Sequence, residues 1–112
     1  MPLKDCEYSN CWLTAARIDE NTGIKPADVI KALAEDNIES RHIWKPLHLQ
    51  PYFKGRDFVN ENGVKNKITD SYTGADDSTA GRIFADGVCL PSDTKCTEDD
   101  ILRVCSVIKK LW

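Results

Sequence analysis

The sequence lacks a long apolar run, a signal-like amino terminus and any paired cysteine motif. No apolar stretch approaches the ~20 residues that a membrane-spanning helix requires, so we expect no membrane segment. Residues 1–5 contain no apolar stretch of the kind that a signal peptide needs, which predicts a cytoplasmic protein. The five cysteines show no C-x-x-C spacing, so we expect reduced thiols and no metal site.

Clusters of positive charge are also missing. The chain has 15 lysines and arginines against 18 acidic residues, and Lys109-Lys110 is its only pair of adjacent cations. Nucleic acid is therefore not an expected partner, because proteins that bind it present clustered cations to the phosphates. A length of 112 residues suits one compact core, so we expect a single domain over residues 1–112.

The pattern of apolar residues predicts three strands and three helices. In chain order these are a strand within Tyr8–Ile18, a helix from Pro26 to about Asp36, a strand that stops at Pro46, a helix over Ala75–Asp86, a short strand over Val88–Leu90 and a helix after Thr97. Thr97 is a good N-cap, and Asp100 completes an acidic capping arrangement. Ile101 and Leu102 are among the residues that supply the apolar face of this last helix. Asn37 stands at the end of the first helix, where Asn can adopt the left-handed conformation that closes a helix. The predicted fold class is α+β, a small sheet of about three mainly antiparallel strands covered by helices.

The segment from Gly55 to Gly74 is polar and has few apolar anchors. Connections of this length are uncommon inside compact domains, so the sequence predicts a mobile loop over residues 55–74. Its two short apolar pieces, Phe58-Val59 and Ile68-Thr69, offer an alternative, a small hairpin around Asn62-Gly63.

The segment after the first predicted helix carries the candidate functional residues. Alternation along a strand places Arg41 and Lys45 on one face and His42 and Trp44 on the other, with Trp44 expected to be buried. His48 follows after Pro46. Two neighbouring cations suit an anionic ligand, and the histidine adds a hydrogen-bonding group.

Each candidate also has a purely structural interpretation. Lys45 can be a solvated lysine at a strand end, and Arg41 can simply pair with Glu39. A histidine flanked by apolar residues, as His48 is, often has a structural role. Trp12 is expected to lie in the core rather than in a ligand contact, because of its large apolar surface.

Several motifs resemble one enzyme family. They are Ser-Asn-Cys-Trp-Leu at 9–13, Asn-Ile-Glu-Ser-Arg at 37–41, Trp-Lys-Pro-Leu-His-Leu-Gln-Pro at 44–51, Phe-Ala-Asp-Gly-Val-Cys-Leu-Pro-Ser at 84–92 and Thr-Glu-Asp-Asp at 97–100. Their order and spacing are similar to the last third of the DegT/StrS family of sugar aminotransferases. The resemblance spans nearly the whole chain outside 55–74. His42 and Leu47 depart from the residues common in the family.

The resemblance implies fold type I among the pyridoxal-phosphate enzymes, in which a large cofactor domain is joined to a small C-terminal domain. This chain resembles the small domain alone. None of its ten lysines stands in the context of the family's Schiff-base lysine, which implies no catalytic residue and no covalently bound cofactor in this chain. By the same resemblance, Asn10, Arg41, Lys45 and His48 are expected to contact substrate.

For the parent enzyme, the resemblance implies a homodimer that uses pyridoxal phosphate to move an amino group, from glutamate, onto a nucleotide-linked keto sugar for surface polysaccharide. The partners of this chain would then be the cofactor domain, the nucleotide sugar and the amino donor. The isolated chain would be inactive. An alternative from another functional class is that the chain is a stand-alone α+β binding module, or the remnant of a truncated gene.

Overall fold

The computed structural model describes residues 12–60, 63–65 and 78–112. Within these ranges the strands are β1 (Thr14–Arg17), β2 (Arg41–His42), β3 (Phe58–Asn60), β4 (Gly63–Lys65) and β5 (Gly87–Leu90), and the helices are α1 (Pro26–Glu35), α2 (Thr79–Asp86) and α3 (Glu98–Lys109). Short 3-10 turns cover Glu20–Thr22, Leu47–Leu49 and Pro51–Phe53. The predicted α+β class is confirmed.

The main sheet is antiparallel, with β5 between β1 and β2. Ala15 and Arg41 both lie opposite Cys89, so these three side chains point to the same face of the sheet. Val88 points to the other face, where it joins the hydrophobic core. The helices α1 and α3 contact each other, and α1 also contacts β2 and β5. The face of the sheet to which Val88 points is therefore covered by helix α1.

The core forms around α1, whose Val29 and Leu33 lie one turn apart and are almost completely buried. The start of α1 is capped by Asp28, whose carboxylate accepts a 2.8 Å hydrogen bond from the backbone N–H of Lys25. The helix is followed by Asn37 in the left-handed conformation, at φ 56°, as the sequence predicts. The chain can then turn back sharply into the segment that carries the candidate residues.

The capping arrangement predicted for α3 is confirmed. The hydroxyl of Thr97 accepts from the N–H of Asp100 at 3.3 Å, and the carboxylate of Asp100 accepts from the N–H of Thr97 at 2.9 Å. Val107 is buried, whereas Ile101 and Leu102 are 55% and 58% exposed. The expectation that both of these residues belong to the buried face of the helix is wrong, and Ile101 lines an open cleft instead.

The predicted burial of the two tryptophans near the sheet is also wrong. Trp12 is 67% exposed and Trp44 is 60% exposed, and their ring centroids are 5.6 Å apart. The strand that was expected to continue to Pro46 pairs with β5 only over Arg41–His42. Trp44 therefore lies beyond the sheet, where α1 and α3 do not cover it.

A hairpin lies within the segment that the sequence predicts to be mobile. β3 and β4 pair in antiparallel register, with Phe58 opposite Lys65 and Asn60 opposite Gly63. The alternative hairpin partner, Ile68-Thr69, lies outside the described residues, as do residues 8–11 of the first predicted strand and 75–77 of the second predicted helix. Mobility over 55–74 stays a prediction. None of the helices in the described ranges has the length and apolar character to cross a bilayer.

Candidate functional site

Arg41 is held by an ion pair at the start of β2. Its Nε donates to Oε1 of Glu39 at 2.8 Å, and its Nη2 donates to the same oxygen. The two side chains are 79% and 75% exposed, so water screens the pair and its contribution to stability is small. The pairing with Glu39 that the sequence offers as an alternative is thus observed, and Arg41 does not present an isolated positive charge.

Lys45 lies just past β2 and is half-buried. Its backbone carbonyl accepts a hydrogen bond from Nε2 of Gln50 at 3.3 Å, which closes the turn that contains Pro46. Leu49, in the same turn, is buried and anchors it to the rest of the chain. The backbone of Lys45 is therefore fixed by its neighbours, and this fixes the point from which its ammonium group can reach a ligand.

His48 is enclosed by two other elements. Its ring stacks on Phe58 of β3 with centroids 4.1 Å apart, and its Nε2 lies 3.3 Å from the hydroxyl oxygen of Ser78. Ser78 caps α2, because that same oxygen accepts from the N–H of Gly81 at 3.0 Å. The Ser78 hydroxyl can then donate to Nε2 if the histidine proton is on Nδ1. His48 thus links the turn, the hairpin and α2.

Of the four residues predicted to contact substrate, Asn10 lies outside the described residues. The other three share one segment but have different surroundings. Arg41 lines a cleft on the sheet, whereas Lys45 and His48 do not line that cleft. Of these three side chains, this cleft therefore includes Arg41 alone.

The cleft that Arg41 lines has a volume of about 570 Å³. Its apolar wall includes Leu13, Trp44 and Cys89, and its charged groups are Glu39, Arg41 and Asp93. Ser40 and Ser92 add hydroxyl groups. The sequence did not predict this cleft, because both tryptophans were expected to lie in the core. Some of its lining residues belong to the motifs that the sequence singles out, such as Leu13 at 9–13 and Ser92 at 84–92.

A second cleft, of about 590 Å³, runs along α3 and is lined by Cys96, Cys105 and apolar residues such as Ile101. The thiols of Cys89, Cys96 and Cys105 are free. No group of three metal-ligating side chains occurs in the part of the chain that the structure describes.

Comparison with known proteins places these features in a family. The model of the DegT/DnrJ/EryC1/StrS aminotransferase family matches residues 1–109. A curated Bacillus subtilis (strain 168) protein named "Putative pyridoxal phosphate-dependent aminotransferase EpsN" is 37% identical over 112 residues. The alignment covers 100% of this chain and 25% of that protein, in its C-terminal part.

The chain therefore spans about a quarter of the length of the curated relative that it matches. The family match extends over nearly all of its residues, through the candidate segment, the sheet and α3. This agrees with the motifs from which the sequence predicts the family. The chain belongs to the DegT/DnrJ/EryC1/StrS aminotransferase family.

Proposed function

We propose that this chain acts as the C-terminal small domain of a pyridoxal-phosphate-dependent aminotransferase that transfers an amino group, from glutamate, to a nucleotide-linked keto sugar. The observation that carries the proposal is the family match over residues 1–109, together with the alignment to the C-terminal part of a relative whose name is that of a pyridoxal-phosphate-dependent aminotransferase. The α+β fold supports it. A role in surface polysaccharide synthesis, in the cytoplasm, is part of the same proposal.

The residues of this chain do not fit a cofactor site by themselves. Pyridoxal phosphate requires an enclosed lysine for its aldehyde and polar groups for its ring nitrogen and phosphate. None of the charged or polar residues that the structure describes is buried. Lys45 is half-buried, whereas the lysines at 25, 31, 54, 95, 109 and 110 are exposed. The cofactor site would lie in another part of the parent enzyme, and the isolated chain would be inactive.

The contribution of this chain is to contact the substrate. Lys45, on its fixed backbone, is the proposed contact to an anionic group, because a charge-assisted hydrogen bond is the strongest that a lysine can make. Arg41, paired with Glu39, offers a donor beside an acceptor and so suits hydroxyl groups better than a bare anion. His48 and Asn10 are proposed as further polar contacts to the sugar.

The exposed apolar side chains support a larger assembly. Described residues that are large, apolar and exposed are Trp12, Leu13, Trp44, Leu47, Tyr52, Val59, Ile101, Leu102 and Trp112. Of these, Trp12 and Trp44 lie side by side, and neighbouring exposed apolar side chains commonly mark an interface. We assign part of this surface to the cofactor domain of the parent enzyme and to the second subunit of a homodimer.

The test is amino transfer by the native protein isolated from its source, supplied with pyridoxal phosphate. Nitrogen-15 glutamate and a panel of nucleotide-linked keto sugars are incubated with it, and mass spectrometry follows the label. The expected result is a labelled amino sugar that is still linked to its nucleotide. If the native protein is a stand-alone module, no label leaves glutamate under any of these conditions.

A further inference from the structure

One exposed face of α3 carries four residues at regular helical spacing. Glu98, Leu102, Cys105 and Lys109 follow one another at intervals of four, three and four positions, so they form one stripe along the helix. We call this set the α3 stripe. All four residues are exposed, and Leu102 is 58% exposed. The fold thus leaves a leucine and a thiol in solvent between two opposite charges.

A different face of α3 packs against the rest of the chain. Val107 is buried in the hydrophobic core, and Val104 and Ile108 are partly buried against it. The charges of the α3 stripe are not used within the chain either, because Glu98 and Lys109 take part in none of the ion pairs formed among the described residues. The α3 stripe is therefore available to another molecule.

The α3 stripe is complementary to itself. Glu98 and Lys109 lie equally far from the midpoint of α3, between positions 103 and 104, and so do Leu102 and Cys105. When two copies of a helix pack antiparallel about a twofold axis through the midpoint, residues equally far from the axis lie at the same level. Glu98 would then face Lys109 of the second copy, and Leu102 would face Cys105 of the second copy. Symmetry makes each of these contacts occur twice.

Charge selects the antiparallel arrangement over the parallel one. In a parallel pair Glu98 would lie beside Glu98 of the second copy and Lys109 beside Lys109 of the second copy, and like charges repel. The antiparallel pair replaces both repulsions by attraction, and it places the positive end of each helix dipole beside the negative end of the other. An acidic first turn and a basic last turn suit any single helix, but that effect does not require the two charges to share a face with Leu102.

We propose that the α3 stripe binds the α3 stripe of a second copy of this chain, in an antiparallel pair with twofold symmetry. A helix of 12 residues is about 18 Å long, so this contact is smaller than a standard interface, which buries about 800 Å² per partner. The pair is therefore weak and reversible, with a Kd on the order of 0.1 mM. The inference goes beyond the proposed function and does not rest on it, because α3 alone supplies the contact.

Sedimentation equilibrium of the 112-residue chain measures the association, under reducing conditions and at concentrations from about 10 µM to about 1 mM. We expect an equilibrium between monomer and dimer. Leu102→Glu should abolish the dimer and leave the melting temperature nearly unchanged, because Leu102 is exposed in the single chain. Thermal melting of each variant shows whether it still folds.

Reversal of charge tests the pairing itself. Glu98→Lys and Lys109→Glu should each weaken dimerisation about tenfold or more, since each introduces two contacts between like charges into the symmetric pair. The double variant restores both attractions and should dimerise about as strongly as the natural chain.

Asp99→Lys and Lys110→Glu are the matched control variants. They make the same changes of charge at the two ends of α3, but each lies one position further along and therefore about 100° around the helix from the α3 stripe. They should leave the affinity of the dimer nearly unchanged.

Any of four results would overturn this self-association. They are a monomer at every concentration, a dimer whose affinity is unaltered in a Leu102→Glu variant that still melts cooperatively, control variants that weaken the dimer as much as Glu98→Lys and Lys109→Glu do, and a double variant that stays as weak as the single ones. Amino transfer is not measured in these experiments. Failure here therefore leaves the proposed function untouched, and failure of amino transfer leaves this result standing.

Discussion

Arg41 directs two of its N–H donors at a single carboxylate oxygen of Glu39, two residues earlier in the chain. An anionic ligand that approached Arg41 would have to displace this carboxylate. The cost of that displacement lowers the contribution that we expect from Arg41 to substrate binding.

In the parent enzyme, Lys45→Ala should remove one charge-assisted contact, about 1.5–3 kcal/mol. This corresponds to roughly a ten- to hundredfold loss of kcat/KM with little change in melting temperature. Steady-state kinetics for both substrates, beside thermal melting, measure the effect. Arg41→Ala is the matched comparison and should lose less. If Lys45→Ala keeps full efficiency for the amino donor and the keto sugar, Lys45 is a solvated lysine and not a substrate contact.

Substitution of a core residue should lower the free energy of unfolding much more than substitution of an exposed residue. Leu33 is fully buried, so Leu33→Ala should destabilise the fold by about 2–5 kcal/mol through lost burial and the cavity that remains. Trp44→Ala removes a larger side chain that is 60% exposed and should cost much less. Urea denaturation of each variant gives the two free energies. A cost for Trp44→Ala that equals or exceeds that of Leu33→Ala would mean that the indole is buried in the folded protein.

The N-terminal cap of α3 should make stability depend on acidity. The hydrogen bonds from the side chain and backbone of Thr97 lower the pKa of the Asp100 carboxyl below its ordinary value. A carboxyl whose pKa is lower in the folded state stabilises the fold above its unfolded pKa, about 3.9, and that stabilisation is lost as the pH falls through the folded pKa.

Asp100→Asn should therefore melt at a lower temperature than the natural chain at neutral pH, and the difference should shrink as the pH falls below about 4. Melting curves recorded across this range check the expectation. Asp99→Asn removes a charge from the same turn but leaves the Thr97 cap intact, so its effect should be smaller. A difference for Asp100→Asn that is the same at every pH would contradict the assigned cause.

The sequence predicted those parts of the fold whose cause is local. Asn37 after α1, and Thr97 with Asp100 at α3, act through hydrogen bonds within a few residues, so their positions can be identified without the rest of the fold. The order of strands and helices also followed from apolar spacing. Even the pairing of Arg41 with Glu39 was foreseeable, because the two residues are close in the chain.

The exposure of Trp12, Trp44, Ile101 and Leu102 could not be predicted in this way. Hydrophobic residues are assigned to the core on the assumption that a chain buries its apolar surface within itself. That assumption does not hold where a chain packs against something else, and this chain spans a quarter of the length of its relative. The contacts of His48 with Phe58 and Ser78 were missed for another reason, since 30 positions separate His48 from Ser78.

Addition of pyridoxal phosphate to the 112-residue chain should label surface lysines without selectivity. An enclosed lysine is needed to hold the cofactor, and no charged side chain is buried in the described ranges. Borohydride reduction followed by peptide mapping identifies the modified positions. Stoichiometric labelling of a single lysine would show that this chain binds the cofactor itself, and the assignment of the cofactor site to another domain would fail.

We propose that these residues work as one domain of a longer aminotransferase, and the intact mass of the native polypeptide distinguishes this from a stand-alone chain. Native protein isolated from its source is measured by mass spectrometry, and peptide sequencing confirms that it contains residues 1–112. We expect a single polypeptide several times heavier than 12.6 kDa, since this chain matches 25% of its relative. A native polypeptide of 12.6 kDa would contradict it and would favour the stand-alone module.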